Sequence, residues 1–386
     1  MTRPLKICFI TEYFPTGSIC DIRGGAEAVA FYEAKYLSKI YDIEVITSHE
    51  PGTKREDVFE NIKVFRCGKT RNYVQKNAFF DRFMFMRGVY RFGKSRKYSL
   101  IVGFNFLTYP IAWMISRKLM VPCIIRYHDV LIGKWFGIFG FTGLIGEILE
   151  RFTLSRRFAA IIAVSNYTAE NLKKYFHGQE KIHIVHNGVE VPGLPPVKAQ
   201  FPTIVCVSRL VKYKHVDDLV KAISLLLKNF PEITCKIIGT GEEEEKLKRL
   251  AVQTGVSDHV TFSGFVNDHN DLIKLIGSSH LLCLPSTLEG FGIVVLESMS
   301  CGVPFVAANI PPMVEVSDKK GGLLFQGRDV EDLANKISMI LSDNLLRDRL
   351  SEEGKRRAKE FLWIDLSKKT EAIYEKIIGE WGNPHE

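Results

Sequence analysis

Short runs of apolar, largely β-branched residues alternate with longer amphipathic stretches along most of the chain. In the first half, these runs predict strands at residues 6–10, 43–47, 100–102, 122–126, 160–164 and 183–185. Amphipathic stretches such as 26–39 and 167–176 predict helices between them. Strands that alternate with helices pair in parallel through right-handed crossovers. The pattern therefore predicts a doubly wound α/β sheet.

A proline-rich segment, residues 191–200, interrupts this alternation and is typical of a linker between domains. The alternation then restarts, with strands predicted at 203–207, 234–239, 260–263, 281–284 and 305–307 and a mainly helical end at 330–379. We predict an N-terminal Rossmann-like domain at 1–190, a linker at 191–200 and a C-terminal Rossmann-like domain at 201–365. A final helix at 366–386 is expected to pack back towards the N-terminal domain. The two domains are expected to face each other across a cleft, with ligands beyond the carboxyl ends of the strands.

The composition supports two cores, because 46% of the 386 residues are hydrophobic and 25% are charged. The net charge of +8 favours anionic partners without specifying which kind. Eight cysteines occur singly, without a C-x-x-C spacing, which argues against a zinc site or a redox pair. No signal-peptide pattern is recognised, and the apolar segments 100–115 and 131–145 are interrupted or too short to span a bilayer. These features predict a cytoplasmic protein.

Two glutamates stand out between the predicted strand 281–284 and a helix expected to begin near Gly292. Glu289 lies in the glycine-rich loop, and Glu297 lies one to two turns into the helix. The backbone amides of Gly290, Phe291, Gly292 and Ile293 surround the helix start, where anions bind well. Carboxylates accept hydrogen bonds from vicinal hydroxyl groups, so this combination suits a nucleotide sugar. The alternative is a capped helix with a surface glutamate.

This stretch resembles the signature of the group 1 (family 4) glycosyltransferases, which have the two-domain GT-B fold and two glutamates separated by seven residues. The resemblance covers nearly the whole chain. Its other pieces are Gly24-Gly25, His128-Asp129, Val164-Ser165, Asn187-Gly188, Ser208-Arg209-Leu210 followed by Lys214, Gly239-Thr240-Gly241, Gly264 and Gly321-Gly322. His215 departs from the pattern, because the family often has glycine there. We expect this departure to affect local packing more than chemistry.

The resemblance implies a retaining, metal-independent hexosyltransferase. Its donor would be a UDP- or GDP-linked sugar, and its acceptor a glycan, a lipid-linked saccharide or another glycoconjugate precursor. The C-terminal domain at 201–365 would be the nucleotide-sugar-binding domain, and the N-terminal domain at 1–190 the acceptor-binding domain. Glu289 would hold the transferred sugar, Glu297 the ribose, and His128 would flank the reaction centre. Arg209 and Lys214 would hold the diphosphate leaving group, whose charge needs an opposing cation. No Asp-x-Asp pair occurs, so neither a metal nor another cofactor is expected. The alternative for the two cations is a solvated basic loop.

Two glycine pairs also follow predicted strands. Gly239 and Gly241 precede four consecutive glutamates that would repel a phosphate, so we interpret this turn as structural, at the edge of the nucleotide pocket with Gly264. Gly24 and Gly25 open a helix whose amides suit the donor phosphate or the acceptor, or simply form a helix N-cap.

Residues 66–97 carry ten basic side chains and one acidic one, interleaved with aromatic residues. Such a segment suits an anionic membrane surface, with Arg82, Arg87 and Arg91 as contacts, and residues 134–143 offer a second docking element. The alternative is a solvated face over a core-packed aromatic stripe. No nucleic-acid-binding motif accompanies it. Membrane docking would place the protein on the inner face of the membrane.

Two other functions compete with glycosyl transfer. A sugar-nucleotide epimerase with the same fold would convert the donor without an acceptor. A non-catalytic nucleotide-sugar-binding or lipid-binding protein would bind without turnover.

Overall fold

The structure is a computed structural model that describes residues 4–16, 21–73, 79–193 and 197–382. The chain forms two compact units, Met1–Asn187 with Trp363–Glu386, and Gly188–Leu362. The predicted linker 191–200 is therefore part of the second unit, although 194–196 lie outside the described residues. Its end is held by hydrogen bonds, since Lys198 Nζ donates to the Ser279 carbonyl at 2.7 Å and the Ala199 amide donates to that of Ser278.

The first unit is a mainly parallel sheet with helices between its strands. Its elements are β1 (Lys6–Ile10), α1 (Gly25–Leu37), β2 (Asp42–Ser48), β3 (Glu56–Phe59), β4 (Ile62–Cys67), α2 (Phe79–Gly93), β5 (Leu100–Gly103), α3 (Tyr109–Leu119), β6 (Cys123–Tyr127), α4 (Trp135–Phe139), α5 (Gly143–Leu154), β7 (Ala160–Ala163), α6 (Asn166–Lys173) and β8 (Ile182–Ile184). The strand order is β3-β4-β2-β1-β5-β6-β7-β8. All six predicted strands are present.

The antiparallel hairpin β3–β4 was not predicted from the sequence. Its two-residue turn consists of Glu60 and Asn61, which both adopt positive φ angles, of 45° and 65°. Such hairpin turns usually carry Asn-Gly or Asp-Gly, so Glu-Asn gives little signal. Residues 66–67 therefore belong to a strand, and in the described part of the basic aromatic stretch α2 covers Phe79–Gly93.

The second unit is a fully parallel six-stranded sheet. Its elements are β9 (Thr203–Val207), α7 (Val216–Leu226), β10 (Thr234–Ile238), α8 (Glu244–Gln253), β11 (Val260–Gly264), α9 (His269–Ser278), β12 (Leu281–Leu284), α10 (Ile293–Ser300), β13 (Phe305–Ala308), α11 (Pro311–Ser317), β14 (Gly322–Phe325), α12 (Val330–Ser342) and α13 (Asn344–Ala358). The strand order is β11-β10-β9-β12-β13-β14. The two doubly wound sheets predicted from the sequence are confirmed.

The last helix, α14 (Trp363–Gly382), belongs to the first unit and packs against α1. The Trp363 ring stacks on Tyr32 with centroids 5.0 Å apart. Beneath it, the fully buried Arg126 on β6 pairs with Glu33 of α1 at 3.2 Å. The Tyr374 hydroxyl of α14 donates to the same carboxylate at 3.4 Å. A buried cation is tolerated only when it is paired, so this network fixes α14 on the sheet.

In each sheet the winding direction reverses between two hydrogen-bonded strands. These are β1 and β5 in the first unit and β9 and β12 in the second. Loops that leave the carboxyl ends of such neighbours diverge to opposite faces of the sheet and open a crevice between them. The loops after β9 and β12 carry Arg209, Lys214 and Glu289, so the topology explains why these side chains meet.

Candidate functional site

The loop between β12 and α10 turns sharply at Gly292. This residue adopts a left-handed φ of +89°, and a Cβ there would lie 2.3 Å from Met313 Cε. A larger residue would therefore be both strained and crowded. Helix α10 begins at the next residue and has no acidic side chain in its first turn. The amides around Ile293, including those of Gly290 and Phe291 in the preceding loop, thus lie at a helix start suited to an anion.

Glu289 and Lys214 form an ion pair across this crevice. Lys214 Nζ lies 2.5 Å from Glu289 Oε1, and the two side chains are only 12% and 13% exposed. The residues are 75 positions apart and are brought together because β9 and β12 are neighbours. An ammonium group has three donors, so one bond to Glu289 leaves Lys214 able to bind a further acceptor. The two predicted residues therefore form one cluster.

Tyr213 contacts both cations of the loop after β9 and was missed in the sequence. Its hydroxyl accepts a hydrogen bond from Arg209 Nη2 at 2.5 Å, and its ring centroid lies 5.6 Å from Lys214 Nζ. The Arg209 side chain is otherwise exposed. Tyr213 thus orients the guanidinium group while stabilising the ammonium group. An aromatic residue between two basic ones was the available signal.

Glu297 is buried within α10 and pairs with a histidine of α9. His269 Nε2 lies 3.3 Å from Glu297 Oε1, and Glu297 is 7% exposed. Burial raises the pKa of Glu297, and His269 partly opposes this shift. A carboxyl group that is shielded from water forms strong hydrogen bonds, because the local dielectric constant is low. Glu297 can therefore accept a strong hydrogen bond from the hydroxyl group of a ligand. His269 was missed because nothing in its local sequence links it to α10.

The glycines after β10 have a packing role. Gly239 has a φ of +129°, and a Cβ there would lie 2.0 Å from the Ser208 carbonyl oxygen. Its amide donates to the Gly264 carbonyl at 2.8 Å. A Cβ on Gly241 would similarly lie 2.1 Å from the Leu210 carbonyl oxygen. The turn therefore supports the loop that carries Arg209, in agreement with its structural interpretation.

His215, the departure from the family pattern, occupies a left-handed position with a φ of +49°. This conformation explains why glycine suits the position. The imidazole Nε2 lies 2.9 Å from the Thr287 hydroxyl, and Nδ1 lies 2.6 Å from Arg328 Nη1. Because an arginine can only donate, Nδ1 accepts and Nε2–H donates. The ring therefore ties α7 to the loop before Glu289, and Arg328 was not predicted to take part.

Among the described residues, one group of side chains has a spacing suited to a metal ion. The ligand atoms of His215, Asp217 and Asp218 lie within 4.8 Å of one another. Arg328 Nη1 already donates to His215, and it also donates to Asp218 at 2.7 Å. A guanidinium group thus supplies the positive charge at this cluster.

In the first unit, His128 directly follows β6. Its Nε2 lies 2.8 Å from the Phe104 carbonyl oxygen. Burial and the nearby Arg126 charge lower the pKa of His128 to about 3. The ring is therefore neutral at physiological pH, with Nε2–H donating and Nδ1 as its acceptor nitrogen.

Gly24 and Gly25 form the start of α1, with Gly24 as the N-cap in an extended conformation. The adjacent Arg23 pairs with Glu27 at 3.2 Å and also with Glu50. Burial raises the pKa of Glu27 to about 7, although Arg23 opposes the shift. A carboxyl group and its arginine therefore already occupy the first turn of this helix.

The arginines of α2 differ in their surroundings. Arg82 Nε donates to Glu12 Oε1 at 3.0 Å, and Arg71 Nη2 donates to the same oxygen at 3.1 Å. Arg82 is thus half-buried and engaged with Glu12, and its contact with a membrane or acceptor stays a prediction. Arg87 and Arg91 are exposed, while Phe85 on the same helix is buried. The aromatic stripe of this segment is thus partly core.

Comparison with known proteins covers both units. Residues 23–191 match the sequence model of a family described as Glycosyltransferase Family 4, and residues 195–357 match that of Glycosyl transferases group 1. A GDP-mannose-dependent monoacylated alpha-(1-6)-phosphatidylinositol monomannoside mannosyltransferase of Corynebacterium glutamicum is 30% identical, over 52% of this chain and 58% of that protein. The chain spans between 58% and 66% of the length of the first curated relatives it matches.

Solved structures show the same fold over nearly the whole chain. A sucrose-phosphate synthase from Thermosynechococcus elongatus has a TM-score of 0.84 and 19% identity, over 97% of this chain and 99% of that one. Anabaena Alr3699/HepE in complex with UDP-glucose has a TM-score of 0.76 and 20% identity, over 97% and 99%.

Proposed function

We propose that this chain, which belongs to the group 1 (family 4) glycosyltransferases, transfers a hexose from a nucleotide-diphosphate sugar to an acceptor with retention at the anomeric carbon. Its fold is the GT-B fold predicted from the sequence. The observation that carries the proposal is the Lys214–Glu289 pair beside the N-terminus of α10. It combines a cation, a carboxylate and helix amides at one crevice.

The donor is a nucleotide sugar because the site offers complementary groups for each of its parts. The amides at the start of α10 and the two basic side chains suit a diphosphate. Glu289 and Glu297 suit the hydroxyl groups of the sugar and the ribose, respectively. The solved HepE complex holds UDP-glucose, whereas the Corynebacterium relative is named for GDP-mannose. Both UDP- and GDP-linked sugars are therefore candidates.

In the proposed reaction, the bond between the anomeric carbon and the diphosphate breaks while the acceptor oxygen attacks the same face of the sugar. Negative charge develops on the leaving diphosphate, and Arg209 and Lys214 offset it. The diphosphate oxygen takes the proton from the acceptor hydroxyl. Glu289, already oriented by Lys214, holds the sugar hydroxyls. His128, whose ring is neutral at physiological pH, keeps the role beside the reaction centre that the family resemblance implies for it.

The proposed acceptor is a lipid-linked saccharide or another glycoconjugate precursor. The Corynebacterium relative is named for a phosphatidylinositol mannoside acceptor, which supports this class. A sugar-nucleotide epimerase remains the alternative within the fold, and it would convert the donor alone.

The central test replaces Glu289 with alanine or glutamine and measures nucleoside diphosphate release and product formation with UDP- and GDP-sugars. Both variants should lose transfer while keeping the wild-type circular dichroism spectrum. Glu245→Gln, an exposed residue of α8, is the matched control and should retain full activity. Full activity in the Glu289 variants would refute the proposed role. Donor conversion without acceptor would indicate the epimerase.

Independence from a metal is tested by chelation. The cations Arg209 and Lys214 are proposed to take the place of Mg²⁺, so activity should persist after treatment with EDTA. Loss of activity that Mg²⁺ or Mn²⁺ restores would overturn this part of the proposal.

A further inference from the structure

The surface of the first unit with the most exposed apolar side chains is a helical hairpin formed by α4, a short 3-10 helix (Gly140–Thr142) and α5. We call residues 134–152 the apolar hairpin. Its exposed large side chains are Phe136, Phe139, Phe141, Leu144, Ile145, Ile148 and Phe152. Phe141 is 87% exposed, Phe136 62% and Ile148 61%. A contiguous apolar patch of this kind marks an interaction surface.

These side chains point outward because the inner side of the hairpin is already filled. Trp135 packs so closely on α5 that a Cβ on Gly146 would lie 2.4 Å from its ring. A Cβ on Gly143 would lie 2.2 Å from the Trp135 carbonyl oxygen. The Trp135 indole N–H donates to the buried Glu150 at 2.6 Å, and the Tyr127 hydroxyl donates to the same carboxylate at 2.6 Å. The hairpin is therefore a preformed element fixed to the end of β6.

The patch leaves almost no polar group in need of a partner. Between residues 135 and 152, all of which are described, two polar side chains are exposed: the Thr142 hydroxyl donates to the Phe139 carbonyl, and Arg151 pairs with Glu147. The single carboxylate in the partly exposed class, Glu147, accepts hydrogen bonds from the Gly133 amide and from Arg151. An interface with another protein normally includes several hydrogen bonds across it. The hydrocarbon region of a bilayer offers none, so polar groups that enter it must form their hydrogen bonds within the protein.

The rim of the patch is basic. Lys134 begins α4, and Arg156 and Arg157 follow α5. Arg156 lies over the Phe152 and Trp113 rings, at 4.2 and 5.4 Å from their centroids. Arg117, one turn beyond Trp113 on α3, is also exposed. Cations that surround an apolar face match an anionic bilayer, whose headgroups lie just above its acyl chains.

We propose that the apolar hairpin inserts its exposed phenylalanine, leucine and isoleucine side chains into the interfacial region of an anionic lipid membrane. The basic rim then contacts the headgroups. Among the described residues, no helix has both the length and the apolar composition needed to cross a bilayer. Helix α2, the docking element predicted from the sequence, exposes fewer large apolar side chains among the described residues, namely Phe80 and Phe83.

The test is flotation of the full chain with phosphatidylcholine vesicles, with and without phosphatidylglycerol. Wild-type protein should float with the anionic vesicles, and added salt should weaken this binding. The double variant Phe136→Ser/Phe141→Ser should lose at least about tenfold in partitioning. Arg156→Gln/Arg157→Gln should lose about fivefold per charge on anionic vesicles only.

Matched controls replace equally exposed apolar residues of the second unit. Leu345→Ser and Val252→Ser, at sites 83% and 70% exposed, should float like the wild type. Nucleotide-sugar binding without vesicles should be unchanged in every hairpin variant, which separates this inference from the proposed reaction. The proposal is overturned if wild-type protein does not float or if hairpin and control variants float equally. It is also overturned if light scattering shows a self-association that the hairpin variant abolishes while vesicles bind neither protein.

Discussion

Each unit contains a cluster in which basic side chains meet a carboxylate, and the two clusters differ in what they leave available. In the second unit, Lys214 meets the single carboxylate Glu289 beside a helix N-terminus. In the first, Arg71 and Arg82 share one oxygen of Glu12, and Arg71 is further covered by the Tyr13 and Phe85 rings. Both clusters join residues about as far apart in sequence, 75 and 70 positions.

The difference separates a site from a structural cross-link. The lysine of the second unit has three donors, of which Glu289 takes one, so a ligand can accept hydrogen bonds from the others. In the first unit, aromatic rings cover the buried Arg71, and both Arg71 and the half-buried Arg82 pair with Glu12, so these pairs stabilise the fold. Basic residues alone therefore do not indicate a binding surface, and their partners must be known.

The largest effect is expected from removing the cation of the second cluster. Lys214→Ala should reduce kcat/KM for sugar transfer by about 10²–10³-fold, because the charge developing on the leaving group loses its main counter-ion. The circular dichroism spectrum should stay that of the wild type, while the midpoint of thermal unfolding should fall because Glu289 loses its ion-pair partner. Steady-state kinetics with calorimetry test both statements. An unchanged kcat/KM would assign Lys214 to the same structural class as Arg71.

In the first cluster the expected loss is in stability. Glu12→Gln leaves two buried or half-buried guanidinium groups without their shared charge and should lower the free energy of unfolding by about 2–3 kcal/mol. Glu170→Gln, which breaks an exposed pair with Lys173, should cost less than about 0.5 kcal/mol. Urea denaturation measures both. Equal effects would show that the first cluster is no more structural than a surface pair.

Glu297 combines both properties, because it is buried and faces a ligand in the proposed reaction. Glu297→Gln should weaken donor binding about tenfold by removing a charged acceptor of hydroxyl groups. Titration calorimetry with the nucleotide sugar measures this loss. Wild-type affinity in this variant would exclude Glu297 from the ribose contact.

The same substitution should alter the dependence of stability on pH. Burial raises the pKa of Glu297 in the folded chain above its unfolded value, so the folded state holds the proton more tightly. The contribution of Glu297 to the free energy of unfolding is fully present below the pKa of the unfolded state. It is lost as the pH rises through the pKa of the folded state. The ligand-free glutamine variant should therefore be more stable than the wild type at neutral pH, and this gain should shrink towards pH 4. A gain that grows on acidification would have the wrong sign.

The smallest effect is expected at His215. Replacing it with glycine removes the backbone strain of a left-handed conformation. The same change removes the hydrogen bonds to Thr287 and Arg328 and increases the conformational entropy of the unfolded chain. These contributions oppose each other, so unfolding free energy should change by less than about 1 kcal/mol and kcat/KM by less than about tenfold. A loss comparable to that of Lys214→Ala would make His215 part of the reaction.

Much of the fold was predictable because strands and helices bury different periodic patterns of residues. The eleven predicted strands are all present, and the loop–helix position of Glu289 and Glu297 follows from the strand that ends at Leu284. The hairpin β3–β4 was missed because its turn residues are unusual, and β14 was missed because it begins at a glycine, a residue depleted in strands. The end of the first domain was placed at 190, whereas the first unit's leading segment ends at Asn187.

The sequence by itself determined the alternation of elements, the turn that requires glycine at Gly292 and the presence of two carboxylates in one motif. Only the tertiary structure decided which charges pair, because Lys214–Glu289, Arg82–Glu12 and His269–Glu297 each join residues on different elements. Local periodicity reports which face of an element is buried, but it carries no information on what that face meets. The tertiary structure also decided which side chains the apolar hairpin exposes. Phe141 is exposed because Trp135 already fills the interior of the hairpin.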